Sequence, residues 1–250
     1  MADRYGCGMT LSLTVLGCSG TYAAPGGACS GYLVRSAAST VLVDCGPGTL
    51  ANLQEHVSLL DLDAVVVTHE HPDHWLELPV MRNALKYGVR RTGVPLFTTA
   101  GTLELGRPFG LAPGAFTAAT IADGDSVQVG DLVFRFFRTD HPVETLAVRV
   151  DCGDESVGYS SDTGPGWSCE ALGEGLDLLV AEATFRDGDG NGPVHLTARQ
   201  AGEQARAVGA RRLVITHLAP GSDEAGAVAE AADAYGAPVE AAQVNTTYAV

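Results

Sequence analysis

The stretch THEHPDHW, residues 68–75, packs three histidines and two acids into six consecutive positions, His69-Glu70-His71-Pro72-Asp73-His74. It closes an apolar run, AVVV at 64–67, that reads as a β-strand. Neutral imidazole and carboxylate are the ligands that zinc and similar divalent ions take, so this density points to metal binding. His69 and His71 are two apart at a strand end and can share one centre. Asp73 and His74 lie beyond the turn at Pro72 and can point to a second.

Working outward, the same arrangement recurs. RFFRTDH ends in His141, GYSSD in Asp162, LLVAE in Glu182 and RLVITH in His217. Apolar strands that end in ligand-type side chains can bring them to one point, and rigid strands hold such groups more closely than loops. His141, Asp162 and His217 are therefore expected to complete two metal sites. Asp162, with two carboxylate oxygens, can bridge them. Of the seven histidines, only His56 falls outside these positions and His195; it reads as an ordinary helix residue.

Further strands are expected at 11–17, 31–35, 40–46, 95–99 and 145–151, and helices at 48–60, 75–87, 197–208 and 223–235. Thr197 and Gln200 form a capping-box pair at the start of the third helix. This order fits a two-sheet core with helices outside better than a doubly wound sheet.

The 250 residues are 46% hydrophobic with a net charge of −15, enough to bury a large core in residues 1–250 as one domain. The acidic balance disfavours a broad nucleic-acid footprint. Arg82, Lys86, Arg90 and Arg91 form a local basic stretch that reads as a solvated helix end. Six cysteines without a C-x-x-C pair, no leader-like N-terminus and no run of membrane-spanning length lead to the expectation of a cytoplasmic protein with reduced thiols.

His-x-His-x-Asp-His after an apolar strand, followed in order by His141, Asp162 and His217, resembles the metallo-β-lactamase fold superfamily over nearly the whole chain. The resemblance implies an α/β, four-layer αβ/βα sandwich: two mixed β-sheets with helices outside and the site at one edge. An aspartate rather than a cysteine at the bridging position points away from true β-lactamases. TVLVDCGPGT, LLVAEATF, HLTARQAGEQA and RLVITH are similar to ribonuclease Z and related phosphodiesterases. That branch implies that His195 donates a proton to the leaving oxygen and that Glu182 orients it, with Thr197 beside them. It also implies two divalent ions, zinc by default with manganese or iron as alternatives, and a homodimer.

Two such ions about 3.5–4 Å apart would activate water for in-line attack on phosphorus. Asp73, besides ligating, can hold that water's proton, and an imidazole near neutral pH suits the departing alkoxide. Ser19 and Thr21, in the small-residue loop after the first strand, Ser30 and Thr197 are candidate substrate contacts, with ordinary turn chemistry the plainer reading of the first three.

Ribonuclease Z carries a Gly/Pro-rich arm between the residues matching His141 and Asp162. Here that interval has room only for a hairpin. A small phosphodiester such as a cyclic nucleotide is thus the expected substrate. A ribonuclease Z-like RNA 3′-end endonuclease is the alternative, with cleavage of a thioester, lactone or β-lactam behind it. RDGDGNG at 186–192 imitates half of a calcium loop, but Ala198 stands where its final acid belongs, so an acidic turn is expected.

Overall fold

A computed structural model describes residues 11–189 and 194–250. The first seven-stranded sheet has the order β14-β1-β2-β3-β4-β5-β6. It comprises β1 (Ser12–Gly17), β2 (Gly31–Arg35), β3 (Thr40–Val43), β4 (Ala64–Val67), β5 (Val94–Thr98), β6 (Phe116–Thr120) and β14 (Thr247–Ala249). The second, ordered β13-β12-β11-β10-β9-β8-β7, comprises β7 (Ser126–Val129), β8 (Leu132–Arg138), β9 (Leu146–Cys152), β10 (Glu155–Tyr159), β11 (Leu178–Glu182), β12 (Leu213–Thr216) and β13 (Val239–Ala241).

Period-two patterning decides the layers. Leu13, Val15, Val41, Val43 and Val66 face inward and meet Phe134, Phe136, Val148, Val150, Val180 and Val214 from the opposite sheet. Their neighbours Leu16, Leu42, Val65 and Val67 face the other way, onto α1 (Thr49–His56), α2 (Pro72–Trp75) and α3 (Leu78–Asn83), where Leu53, Trp75, Leu78 and Met81 cover them. On the far side Leu179, Ala181 and Ile215 lie under Ala198, Ala201 and Ala205 of α5 (Ala198–Ala207) and Ala227 and Ala231 of α6 (Glu224–Tyr235). Helix, sheet, sheet, helix is the expected sandwich. Each fully buried Phe, Leu or Val contributes about 1.5–3 kcal/mol to holding the layers together.

Strand direction positions the site. β3 pairs in parallel with β4, and β1 is antiparallel to β2, which is antiparallel to β3. β1, β3 and β4 therefore run the same way. In the second sheet β8 is antiparallel to β9 and β9 to β10, while β10, β11 and β12 are parallel. The carboxyl ends of β8, β10, β11 and β12 thus lie along one rim, where ligand sites of α/β sheets form.

Some expected elements shift. The 48–60 helix ends at Val57, which is extended. The 75–87 helix is instead α2, α3 and a π-helical segment at Ala84–Val89. Strands β6, β7, β13 and β14 and helix α4 (Ala100–Gly106) had no strong period in the sequence. Thr197 does cap α5, with both halves of the capping box formed. Five cysteines are described, and all are free: Cys29, Cys45 and Cys169 buried, Cys18 and Cys152 half-buried. Among the described residues no helix is long and apolar enough to cross a membrane.

Candidate metal centre

The loop after β4 carries His69 and His71, and the short helix α2, started by Pro72, turns Asp73 and His74 inward. His141 follows β8, Asp162 follows β10 and His217 follows β12. These converge as two sets of ligand atoms, His69-His71-His141-Asp162 and Asp73-His74-His217, each within 4.8 Å. Asp162 stands between them. Its Oδ2 lies 3.6 Å from His69 Nε2 and 4.0 Å from His141 Nε2. Its Oδ1 lies 3.2 Å from His74 Nε2 and 3.4 Å from His217 Nε2. Asp73 Oδ2 is 3.3 Å from His217 Nε2. The seven residues singled out as ligands in the sequence all arrive at one place.

The chemistry of these atoms fits divalent cations. His69 Nε2, His74 Nε2 and Asp162 Oδ1 are buried and have no hydrogen-bond partner. Buried polar atoms are almost always paired, and three converging orphans of the ligand type are what a metal ion would satisfy. Burial holds His69 well below the usual imidazole pKa, assisted by His74. Burial also penalises the charge on Asp162, but the His217 and His74 rings outweigh it and keep the carboxyl ionised. These are ligating forms; at His74 burial opposes charge but Asp162 and Asp44 outweigh it and raise the pKa, so a cation there would displace a proton.

A second layer of hydrogen bonds fixes the rings. Asp44, fully buried at the end of β3, accepts from His74 Nδ1 at 2.8 Å, leaving Nε2 for the centre. It also accepts from the Thr68 amide at 2.8 Å, the Thr68 hydroxyl at 3.0 Å and the Tyr159 hydroxyl at 3.1 Å. Tyr159 belongs to the opposite sheet and packs 4.7 Å from Tyr32, so the two sheets are joined directly beneath the rim. Val194 O accepts from His141 Nδ1 at 3.1 Å. Asp44 was missed in the sequence although TVLVD obeys the same rule, an apolar strand ending in a carboxylate.

Two glycines allow the close approach. A Cβ on Gly46 would lie 2.0 Å from the carbonyl oxygen of Asp73. One on Gly20 would lie 2.6 Å from the carbonyl oxygen of His217.

Outside both sets, Glu182 Oε1 lies 2.9 Å from His195 Nδ1. Burial opposes charge on His195, but the hydrogen bond and charge of Glu182 outweigh it and raise its pKa. The ring stacks on His217 at 5.2 Å, and with Asp162 and His217 it forms a third group of ligand-type atoms within 4.8 Å of one another. The cleft above has a volume of about 350 Å³ and is lined by Thr21, His71, Pro72, Asp73, Asp162, His195 and His217. Of the four candidate substrate contacts, only Thr21 lines it. The Thr21 amide donates to Asp73 Oδ2 at 2.8 Å. Ser30 is fully buried, Ser19 lines a neighbouring cavity behind His217, and the Thr197 hydroxyl is occupied as the cap of α5. Arg186 to Asp189 form the turn expected of the acidic stretch, with the Arg186 amide donating to Asp189 at 2.8 Å. Its continuation, 190–192, lies outside the described residues.

Residues 39–218 match the profile of a beta-lactamase superfamily domain. The chain belongs to the beta-lactamase superfamily. An uncharacterised protein of Mycobacterium tuberculosis is 31% identical, over 98% of this chain and 94% of its own. The probable metallo-hydrolase YhfI of Bacillus subtilis is 31% identical over 83% of this chain and 87% of its own. Its crystal structure superposes with a TM-score of 0.88, covering 96% of this chain and 99% of that one at 28% identity. Ribonuclease Z of Methanopyrus kandleri is 29% identical over 75% of this chain and 80% of its own. With this membership the chain is a metallo-β-lactamase-fold metal-dependent hydrolase, and the expected sandwich is the superfamily's fold.

Proposed function

We propose that the protein is a dinuclear phosphodiesterase, zinc its default metal, that cleaves a small phosphodiester such as a cyclic nucleotide. The observation that carries this reading is the Glu182–His195 pair: buried Glu182 holds the half-buried His195 ring through Nδ1 at 2.9 Å, beside Asp162 and His217, and neither residue belongs to the two sets to which the loop after β4 and α2 contribute.

When bound, the two ions would lower the pKa of a water and neutralise charge on the phosphoryl oxygens. His69, His71 and His141 would hold one and Asp73, His74 and His217 the other, with Asp162 shared. Asp73 can take the attacking water's proton at Oδ2. An alkoxide is a poor leaving group, so a proton must reach it from the other side of the phosphorus. His195 has Nδ1 committed to Glu182, leaving Nε2 for the cleft. The Glu182 carboxylate at 2.9 Å favours the protonated ring and so keeps a proton on hand at Nε2.

Size favours a compact diester. A cleft of about 350 Å³ sits at the low end of small-molecule sites, ~300–1,000 Å³. The His141–Asp162 interval is a loop and the β9–β10 hairpin, with no arm to grip a folded RNA. The net charge of −15 repels a long polyanion. The name of the ribonuclease Z relative supports phosphodiester chemistry as the class.

The test is a substrate panel on zinc-loaded protein: cyclic nucleotides, bis-p-nitrophenyl phosphate, precursor tRNA, a thioester and nitrocefin. Turnover of a cyclic nucleotide well above precursor tRNA is expected. Turnover of the thioester or nitrocefin without any diester would contradict the reading.

A further inference from the structure

Thr184 lies two residues beyond Glu182, at the carboxyl end of β11, and is buried. Its Oγ1 is 2.8 Å from His217 Nδ1 and 2.9 Å from Glu182 Oε2. A hydroxyl has one proton to give. His217 turns Nε2 toward Asp73 and Asp162, so that nitrogen must keep a lone pair to ligate, and the ring proton sits on Nδ1. Nδ1 is then the donor to Thr184, whose own proton has two acceptors in reach, Glu182 Oε2 at 2.9 Å and the His217 carbonyl oxygen at 3.1 Å, of which the carboxylate is the nearer and the charged one. The other carboxylate oxygen, Oε1, accepts from the Thr163 amide at 2.7 Å and from His195 Nδ1 at 2.9 Å. The shorter, charge-assisted bond sets the order of the links: His217 to Thr184 to Glu182, with His195 donating to the same carboxylate.

We infer that Thr184 is a positioning residue that couples the second metal-ligand set to the proton-donating pair. One hydroxyl sets the ligating tautomer of His217 and the plane of the Glu182 carboxylate, hence the orientation of His195. Carboxylate-to-histidine links that orient a metal ligand are common, but here the same carboxylate also orients the leaving-group acid, with a threonine interposed. The inference rests on the dinuclear reading above.

The discriminating pair is Thr184→Val and Thr184→Ser. Valine keeps the shape and removes the hydroxyl; serine restores it. Zinc affinity is read by competition with a chromophoric chelator, and the His217 tautomer by ring-nitrogen NMR of the zinc-loaded protein. Wild type should bind two zinc ions. Thr184→Val should weaken one of them about 10–100-fold, the usual cost of losing an outer hydrogen-bond partner, and leave the other unchanged. It should also lose the slowed exchange of the Nδ1 proton. Thr184→Ser should recover affinity to within a few-fold and recover the proton signal.

Unchanged affinity for both ions in a folded Thr184→Val, or a folded Thr184→Ser that behaves like valine, would overturn the role of Thr184. If valine fails to fold, the serine variant alone decides: affinity and tautomer near wild type are required. Wild type binding fewer than two ions would instead overturn the dinuclear reading itself.

Discussion

Replacing His195 by alanine should produce a loss that depends on the leaving group. The imidazole is anchored through Nδ1 to Glu182 and stacked on His217, with its side chain 15% exposed. On the proposed reading His71 and His217, the other histidines of the cleft, would be taken up as metal ligands, so no neighbour could take over the proton. A positioned general acid is worth about 10²–10⁴ in rate. At 1.36 kcal/mol per decade this is ~2.7–5.4 kcal/mol of transition-state stabilisation. An alkyl diester such as a cyclic nucleotide needs that proton, and His195→Ala should lose the full factor in kcat/KM. p-Nitrophenolate leaves unprotonated, so bis-p-nitrophenyl phosphate should lose less than about tenfold. Steady-state kinetics on both substrates with the same zinc-loaded preparation makes the comparison, and the metal count of the variant must match wild type. Equal losses on the two substrates would refute the acid role and leave His195 as a ligand or a structural group.

The pH behaviour follows from the same pair. In the metal-free protein Glu182 raises the His195 pKa, so the imidazolium contribution to stability is complete below about pH 6.5 and disappears as pH rises through the folded value. Glu182→Gln should lower the His195 value in an NMR titration and cost more stability at pH 6 than at pH 9; an unmoved titration would contradict the pairing. Zinc at a hundred times its dissociation constant should stabilise the fold by about 2.7 kcal/mol in urea unfolding, and Asp162→Ala should abolish most of that gain. Gly46→Ala puts a methyl 2.0 Å from the Asp73 carbonyl oxygen. It should cost about 1–3 kcal/mol by overpacking and roughly 10²-fold in kcat/KM by displacing Asp73; a variant as active as wild type would show that the loop yields freely.

The site was more legible in the sequence than the edges of the fold. Ligand chemistry leaves unmistakable residue types, and each ligand terminates or follows an apolar strand, so spacing alone carried His69, His71, Asp73, His74, His141, Asp162 and His217. Asp44 obeys the same rule but stands alone in its segment, and its role depends on Tyr159 and His74 arriving from elsewhere. Thr184 lies within LLVAEATF, yet nothing there gives it a role, because a threonine hydroxyl becomes informative only when its two partners are placed. The missed strands β6, β7, β13 and β14 are the four sheet edges, where they are short and partly exposed: FTAAT buries only Phe116, and SVQV alternates but over just four residues. The long helix expected at 75–87 broke because Pro79 sits in the first turn of α3 and the chain then widens into a π-helical segment.

The central claim is that Asp162 holds two cations at once, one on each oxygen. Anomalous diffraction at the zinc edge from a crystal grown with excess zinc tests it directly. The account predicts two peaks about 3.5–4 Å apart, one bounded by His69, His71 and His141 and the other by Asp73, His74 and His217, with Asp162 between them. A single fully occupied peak, or Asp162 ligating neither ion, would contradict it.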